Sequence, residues 1–210
     1  DAEAGAHVDL VGDASAPVGY WYADEDALYL RMRVADAPWQ AAEGAALNEG
    51  TWTFGFDLRS DDGDGSTSTL DRAISFSGSV LGANSIILYR NNSGREGPDA
   101  RLSAVFIYST DPSGEDLVRT AEAGSILGGA RDWMIDVVID RDTLAANLDI
   151  HEETIFALAL LTGEGRETSS NNADMAGALD LSLMEPGWSD EIALDADGDG
   201  LTGAFELGMG

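Results

Sequence analysis

Residues 27–35 read ALYLRMRVA and residues 51–58 read TWTFGFDL. Both repeat apolar side chains at a period of two, the spacing of a strand with one face in a core. In the first, Leu28, Leu30, Met32 and Val34 share a face, with Tyr29, Arg31 and Arg33 on the other. In the second, Trp52, Phe54, Phe56 and Leu58 share a face. Working outward, VGYWYA at 18–23 forms a hairpin with 27–35 around the acidic turn Asp24-Glu25-Asp26. Further strands are predicted at 71–77, 84–90, 103–109, 132–139 and 154–162, and an earlier one at 7–11, each bounded by Gly, Asp or Asn clusters.

Two stretches read as helical. RDTLAANL at 141–148 follows Asp140, a capping residue, and sets Leu144 and Leu148 at helical spacing. The tail GAFELGM at 203–209 is expected to hold a turn or two of helix. Many short strands separated by turn signals predict an all-β chain, a β-sandwich with a short C-terminal calcium-binding loop. Pro186-Gly187 marks the expected boundary between a sandwich domain over 1–185 and a calcium-binding C-terminal unit over 186–210.

Composition narrows the function. With 210 residues, 44% of them hydrophobic, the chain can build a sizeable core. It carries 39 Asp and Glu against 11 basic residues, all Arg, for a net charge of -28. Such a chain repels nucleic acid and anionic membrane surfaces, and divalent cations are its natural counterions. There is no Cys, so neither disulfides nor thiolate chemistry are available. No run approaches the roughly 18 apolar residues of a membrane span, so no membrane insertion is expected. The chain opens DAEAGAH, as expected of a mature exported protein.

The motif that carries chemistry is Asp195-Ala196-Asp197-Gly198-Asp199-Gly200, followed by Glu206. Counting Asp195 as position one places acids at one, three, five and twelve and a glycine at six, the offsets of an EF-hand-type loop. Calcium takes six to eight oxygens. Asp195, Asp197 and Asp199 converge as the chain curls, Gly200 permits the bend, the Leu201 carbonyl adds a backbone oxygen, and Glu206 closes the shell. The preceding PGWSDEIAL makes no useful helix, so the loop is not half of a helix-flanked sensor pair. The stretch DADGDGLTGAFELG resembles a thrombospondin type 3 repeat, with one departure: Gly203 stands at the ninth position, where that family often has Asp. Such repeats usually come in arrays on surface proteins, and a single one here carries the expectation that the parent protein continues.

A second acidic cluster, Asp61-Asp62-Gly63-Asp64-Gly65, lies just after the strand ending at Leu58. It reads either as a polar turn or as a second calcium site built from Asp61, Asp62 and Asp64 with Asp57; no closing Glu stands at the right offset. Asp24-Glu25-Asp26 reads as a charged hairpin tip. His7 and His151 read as surface or turn residues, since a zinc site needs more ligands at close spacing. No nucleophile elbow or metal-base motif points to an enzyme. Among the tryptophans, Trp52 and Trp133 fall in strand alternation and read as core. Trp39, after Pro38 in a loop, is the candidate ligand-binding platform, since sugar rings stack on exposed indoles.

Residues 18–65 carry a wider pattern: VGYWYAD, then ALYLRMRVADAPW, then WTFGFDLRSDDGDG. This resembles the β-sandwich group that includes family 9 carbohydrate-binding modules and DOMON-type domains, over about residues 6–182. The resemblance implies a secreted sandwich that binds sugars or haem, often with structural calcium. Haem needs His or Met ligands, and Met32 lies on an apolar strand face. The expected function is a non-catalytic, calcium-stabilised module of an extracellular or cell-surface protein, with copies of itself or other surface proteins as partners. The alternative is a carbohydrate-binding module with glycans as partners. SIILYR at 85–90 and SAVFIYS at 103–109 carry few charges, so either, at a sheet edge, is open to pairing with another copy.

Overall fold

A computed structural model describes residues 5–13, 15–38, 50–58, 71–77, 86–91, 102–108, 117–152, 154–163, 172–176, 192–193 and 204–207. The calcium-loop acids Asp195, Asp197 and Asp199, the carbonyl residue Leu201, the cluster Asp61, Asp62 and Asp64, and Trp39 lie outside the described residues.

The described residues form two antiparallel sheets and one short helix. The first sheet runs β12-β1-β2-β8-β7, with β1 Gly19–Ala23, β2 Ala27–Val34, β7 Val118–Glu122, β8 Trp133–Asp140 and β12 Ala204–Leu207. The second runs β10-β9-β3-β4-β5-β6, with β3 Thr51–Leu58, β4 Arg72–Ser77, β5 Ile86–Asn91, β6 Leu102–Tyr108, β9 Ile155–Gly163 and β10 Asn172–Ala176. A two-residue strand, β11 Ile192–Ala193, also pairs with β9. The expected β-sandwich is therefore present.

The two stretches with the clearest alternation are inner strands, β2 of the first sheet and β3 of the second. The apolar face of β2 meets that of β3 in one core. Leu28, Leu30, Met32 and Val34 from one side, and Trp52, Phe54, Phe56 and Leu58 from the other, belong to a single buried cluster. Trp52 stacks on Phe76, directly opposite on β4, at a centroid distance of 5.5 Å and 15° between planes. Phe56 meets Phe156 edge to face at 5.3 Å. Met32 is wholly buried in this core, as its strand position implied. β3 is buried on both faces, since Thr51, Thr53 and Asp57 are covered as well.

The hairpin tip is built by its own first residue. Asp24 Oδ1 accepts from the amides of Asp26 at 3.0 Å and Ala27 at 2.9 Å, which closes the turn from β1 to β2. The helix α1, Arg141–Leu148, stands where the sequence placed it. Asp140 Oδ1 accepts from the Thr143 amide at 2.7 Å, and Asp149 ends the helix in a left-handed conformation at φ 60°.

Four expectations change. Residues 7–11 are not a strand: Ala6–Val8 form a 3-10 turn, and only Leu10 bridges to Val34. Val8 and Leu10 are both buried, and two backbone hydrogen bonds, from Val11 N–H to Arg33 O and from Ala35 N–H to Asp9 O, hold the segment beside the end of β2. The tail expected to be helical contains β12, because Ala204–Leu207 meets the edge of β1 and completes a ladder there. Trp133 is half-buried, packed against the core margin rather than within it. β7, β10, β11 and β12 carry weak alternation and were missed as strands; each is a short strand on the rim of its sheet.

Candidate functional site

The calcium-type motif occupies a defined place in the chain's connectivity. Asp195 stands two residues past β11, which pairs with β9 in the second sheet. Glu206 stands within β12, which pairs with β1 in the first sheet. The motif therefore spans the connection from one sheet to the other. The register sets Glu206 opposite Tyr20, and Phe205 opposite the core residue Trp21.

The row that contains Glu206 crosses the whole first sheet. Glu206 is opposite Tyr20, Tyr20 opposite Arg31, Arg31 opposite Asp136, and Asp136 opposite Arg119. Arg31 and Asp136 form a two-bond fork, Nε to Oδ1 at 2.5 Å and Nη2 to Oδ2 at 2.6 Å. That fork holds the Arg31 guanidinium above its ordinary pKa. Two residue pairs along, Tyr22 and Tyr29 stand opposite each other with ring centroids 5.5 Å apart, and Tyr22 is 46% exposed. Burial, then the nearby Asp24 carboxylate, raises the Tyr29 hydroxyl pKa. Burial also pulls Asp24 upward, but hydrogen bonds from Ala27, Asp26 and Tyr29 outweigh it, so Asp24 ionises below its ordinary 3.8. Arg33, almost fully buried on the same strand, donates to Pro17 O, Ser125 Oγ and Tyr20 Oη.

At the second acidic cluster, the described residues are the stems. The Leu58 amide donates to Asp71 Oδ2 at 2.9 Å, and the Asp71 amide donates to Phe56 O at 2.9 Å. Asp57 is fully buried at the end of β3. Among the described residues, no three His, Cys, Asp or Glu side chains come together as a metal-binding group. His7 serves the fold through its carbonyl, which accepts from the Trp52 indole at 3.1 Å. His151 is half exposed and lies 3.1 Å from Asp149.

Sequence reasoning missed a loop between β7 and β8. The buried Asp132 carboxylate accepts from the amides of Leu127 at 3.0 and 3.1 Å and Gly128 at 3.4 Å. The loop so held leaves Ile126 69% and Leu127 39% exposed. Its sequence signal is the glycine set Gly124, Gly128 and Gly129, two of which have positive φ. The cross-sheet row was partly readable, because alternation already put Tyr29, Arg31 and Arg33 on one face; its extension to Glu206 and Asp136 needed the register.

No family model, curated protein or solved structure matches the chain.

Proposed function

We propose that the chain is a non-catalytic, calcium-stabilised module of an extracellular or cell-surface protein. The observation that supports this most is the placing of the motif: Asp195 follows a strand of one sheet and Glu206 belongs to a strand of the other. An ion bound by Asp195, Asp197, Asp199, the Leu201 carbonyl and Glu206 ties the two sheets together at their rims. Calcium supplies the positive charge that such a cluster needs, since the carboxylates repel one another without it. Folding and binding are then linked, and calcium at a hundred times its dissociation constant adds about 2.7 kcal/mol of stability. Asp61, Asp62 and Asp64, with Asp57 at the stem, are a second candidate site of the same chemistry.

Thermal melting in calcium and in chelator tests this reading. Calcium raises the melting temperature of the native chain, and Asp199→Ala shrinks the difference. Identical curves in both solutions remove the structural role. The non-catalytic part is tested by assay on polysaccharides, esters and peptides. Turnover that disappears on changing one carboxylate would overturn it.

A second reading, a carbohydrate-binding module, draws on the exposed Tyr22 ring beside Tyr29 and the two-bond Arg31–Asp136 fork. Aromatic faces stack on sugar rings and paired polar groups bind hydroxyls. Trp39 remains a candidate platform in this reading. A glycan array with the native chain, Tyr22→Ala and Trp39→Ala separates it from the first.

A further inference from the structure

Among the described residues, the two sheets differ in their outer faces. On the second sheet, alternation and register turn Thr51, Thr53, Ala73, Ser75, Ala157 and Ala159 away from the shared core, and all are buried. On the first sheet, the side away from the core carries the 46% exposed Tyr22 beside Tyr29, with Arg31 and Arg119 both exposed. The charge of this face runs against that of the chain. In a molecule with 39 acids and 11 arginines, the run Arg31–Asp136–Arg119 holds two arginines to one acid. The acids around it are set apart or already used: Glu206 stands beyond Tyr20, Asp140 caps α1 and Asp24 closes its own turn.

The fork to Asp136 leaves Arg31 with donors to spare. A guanidinium has five N–H donors, and the fork uses one on Nε and one on Nη2. Among the described residues Asp136 is the only acceptor these donors meet, and the Arg31 side chain is 45% exposed. The edge between Nη1 and Nη2 remains for a second carboxylate in the same two-bond pairing. Asp136 holds the guanidinium in place beforehand, so a ligand loses less by ordering it. Tyr22 is diagonal to Arg31 across the β1–β2 ladder, roughly 7–8 Å away, so one ligand reaches both. The exposed ring offers a stacking surface of the kind sugar rings use. β1, β2 and β8 are inner strands with paired backbones, so an extended peptide finds no edge here. We infer that this face binds a glycan bearing carboxylates, a uronic-acid chain, with a sugar ring on Tyr22 and its carboxylate on Arg31. The inference rests on the second reading above, that the chain binds glycans.

The net charge of -28 opposes such a ligand at a distance. At about 0.15 M salt the screening length is about 8 Å, so direct contacts outlast that repulsion. Calorimetric titration of the native chain with trigalacturonate, at that salt and in calcium, gives binding. The methyl ester of the same trimer keeps the rings but loses the charges, and it binds about tenfold more weakly. Arg31→Gln, with unchanged circular dichroism, weakens binding of the acid trimer by about tenfold. Tyr22→Ala weakens binding of both forms. A further readout needs no variant: on the native chain, bound trimer slows arginine-directed modification of Arg31, followed by mass spectrometry. Calcium bridging between the ligand and the chain's acids would survive Arg31→Gln, so undiminished binding by that folded variant overturns the proposal. So does an unchanged rate of Arg31 modification, or triaspartate that binds as tightly as the acid trimer. An ester that binds as well as the acid overturns the proposal too, but leaves the glycan reading standing. Binding of neither trimer overturns it as well, and the glycan array then decides the broader reading separately.

Discussion

Asp132 organises its loop from the inside, and Gly128 shows how little room the arrangement leaves. A Cβ on Gly128 would lie 2.3 Å from the Ala35 Cβ and 3.2 Å from Val11 Cγ1. Replacing glycine by alanine in open space stabilises slightly through the unfolded chain; here the crowding reverses the sign. Gly128→Ala is expected to cost roughly 1–3 kcal/mol, read as a lower urea midpoint at unchanged slope. Asp24 supplies a pH-dependent contribution. Its folded pKa lies below its ordinary 3.8, so the unfolded chain takes up the proton first as pH falls. The stabilisation is therefore complete above that ordinary value and is lost as pH drops through the folded one. The difference in melting temperature between the native chain and Asp24→Ala should be constant near neutrality and shrink in acid. A difference unchanged down to about pH 2 would remove the turn carboxylate as its source.

At the scale of an element, α1 is the clearest case. Eight residues make too short a helix to stand alone in water. Its start is held by Asp140, which also accepts from Thr143 Oγ1 at 2.7 Å. Its end is held by two arginines of the second sheet. Arg72 Nε donates to Leu148 O at 2.7 Å, and Arg90 donates to the carbonyls of Asn147 and Ala146. Arg72 and Arg90 stand directly opposite each other on β4 and β5, a like-charge pair that a sheet ordinarily disfavours. The negative end of the helix supplies the compensation. Asp140→Ala should cost about 1 kcal/mol, and Arg72→Met about 1–3 kcal/mol, because a buried carbonyl then loses its donor. Both are measured by denaturant titration.

At the scale of the whole molecule, one buried core belongs to a chain with a net charge of -28. β2 and β3 anchor the two sheets, while β11 and β12, which flank the calcium-type motif, are thin rim strands. On the proposed calcium reading, removal of the ion should therefore act on the rims first. Hydrogen exchange in chelator is expected to speed up at Ala204–Leu207 and Ile192–Ala193 while Thr51–Leu58 stays protected. Uniform loss across both sheets would mean that the ion, if bound, acts on the core instead. Net self-repulsion at -28 also predicts that monovalent salt alone raises the melting temperature.

Local chemistry was enough to determine the inner strands and the helix. The alternation in β2 and β3, and Asp140 with Leu144 and Leu148 in α1, depend on neighbours a few residues away, so they can be read along the chain. The offsets from Asp195 to Glu206 are legible for the same reason. The rim was not. AFEL becomes a strand because β1 offers it unpaired backbone groups, a partner nearly two hundred residues distant in sequence. Which of the two sparsely charged strands lies at an edge was likewise undetermined by composition: among the described residues, β5 is interior and β6 terminal because β4 took the other side of β5. The row from Glu206 to Arg119 exists through register alone, a property of paired strands that no single segment carries.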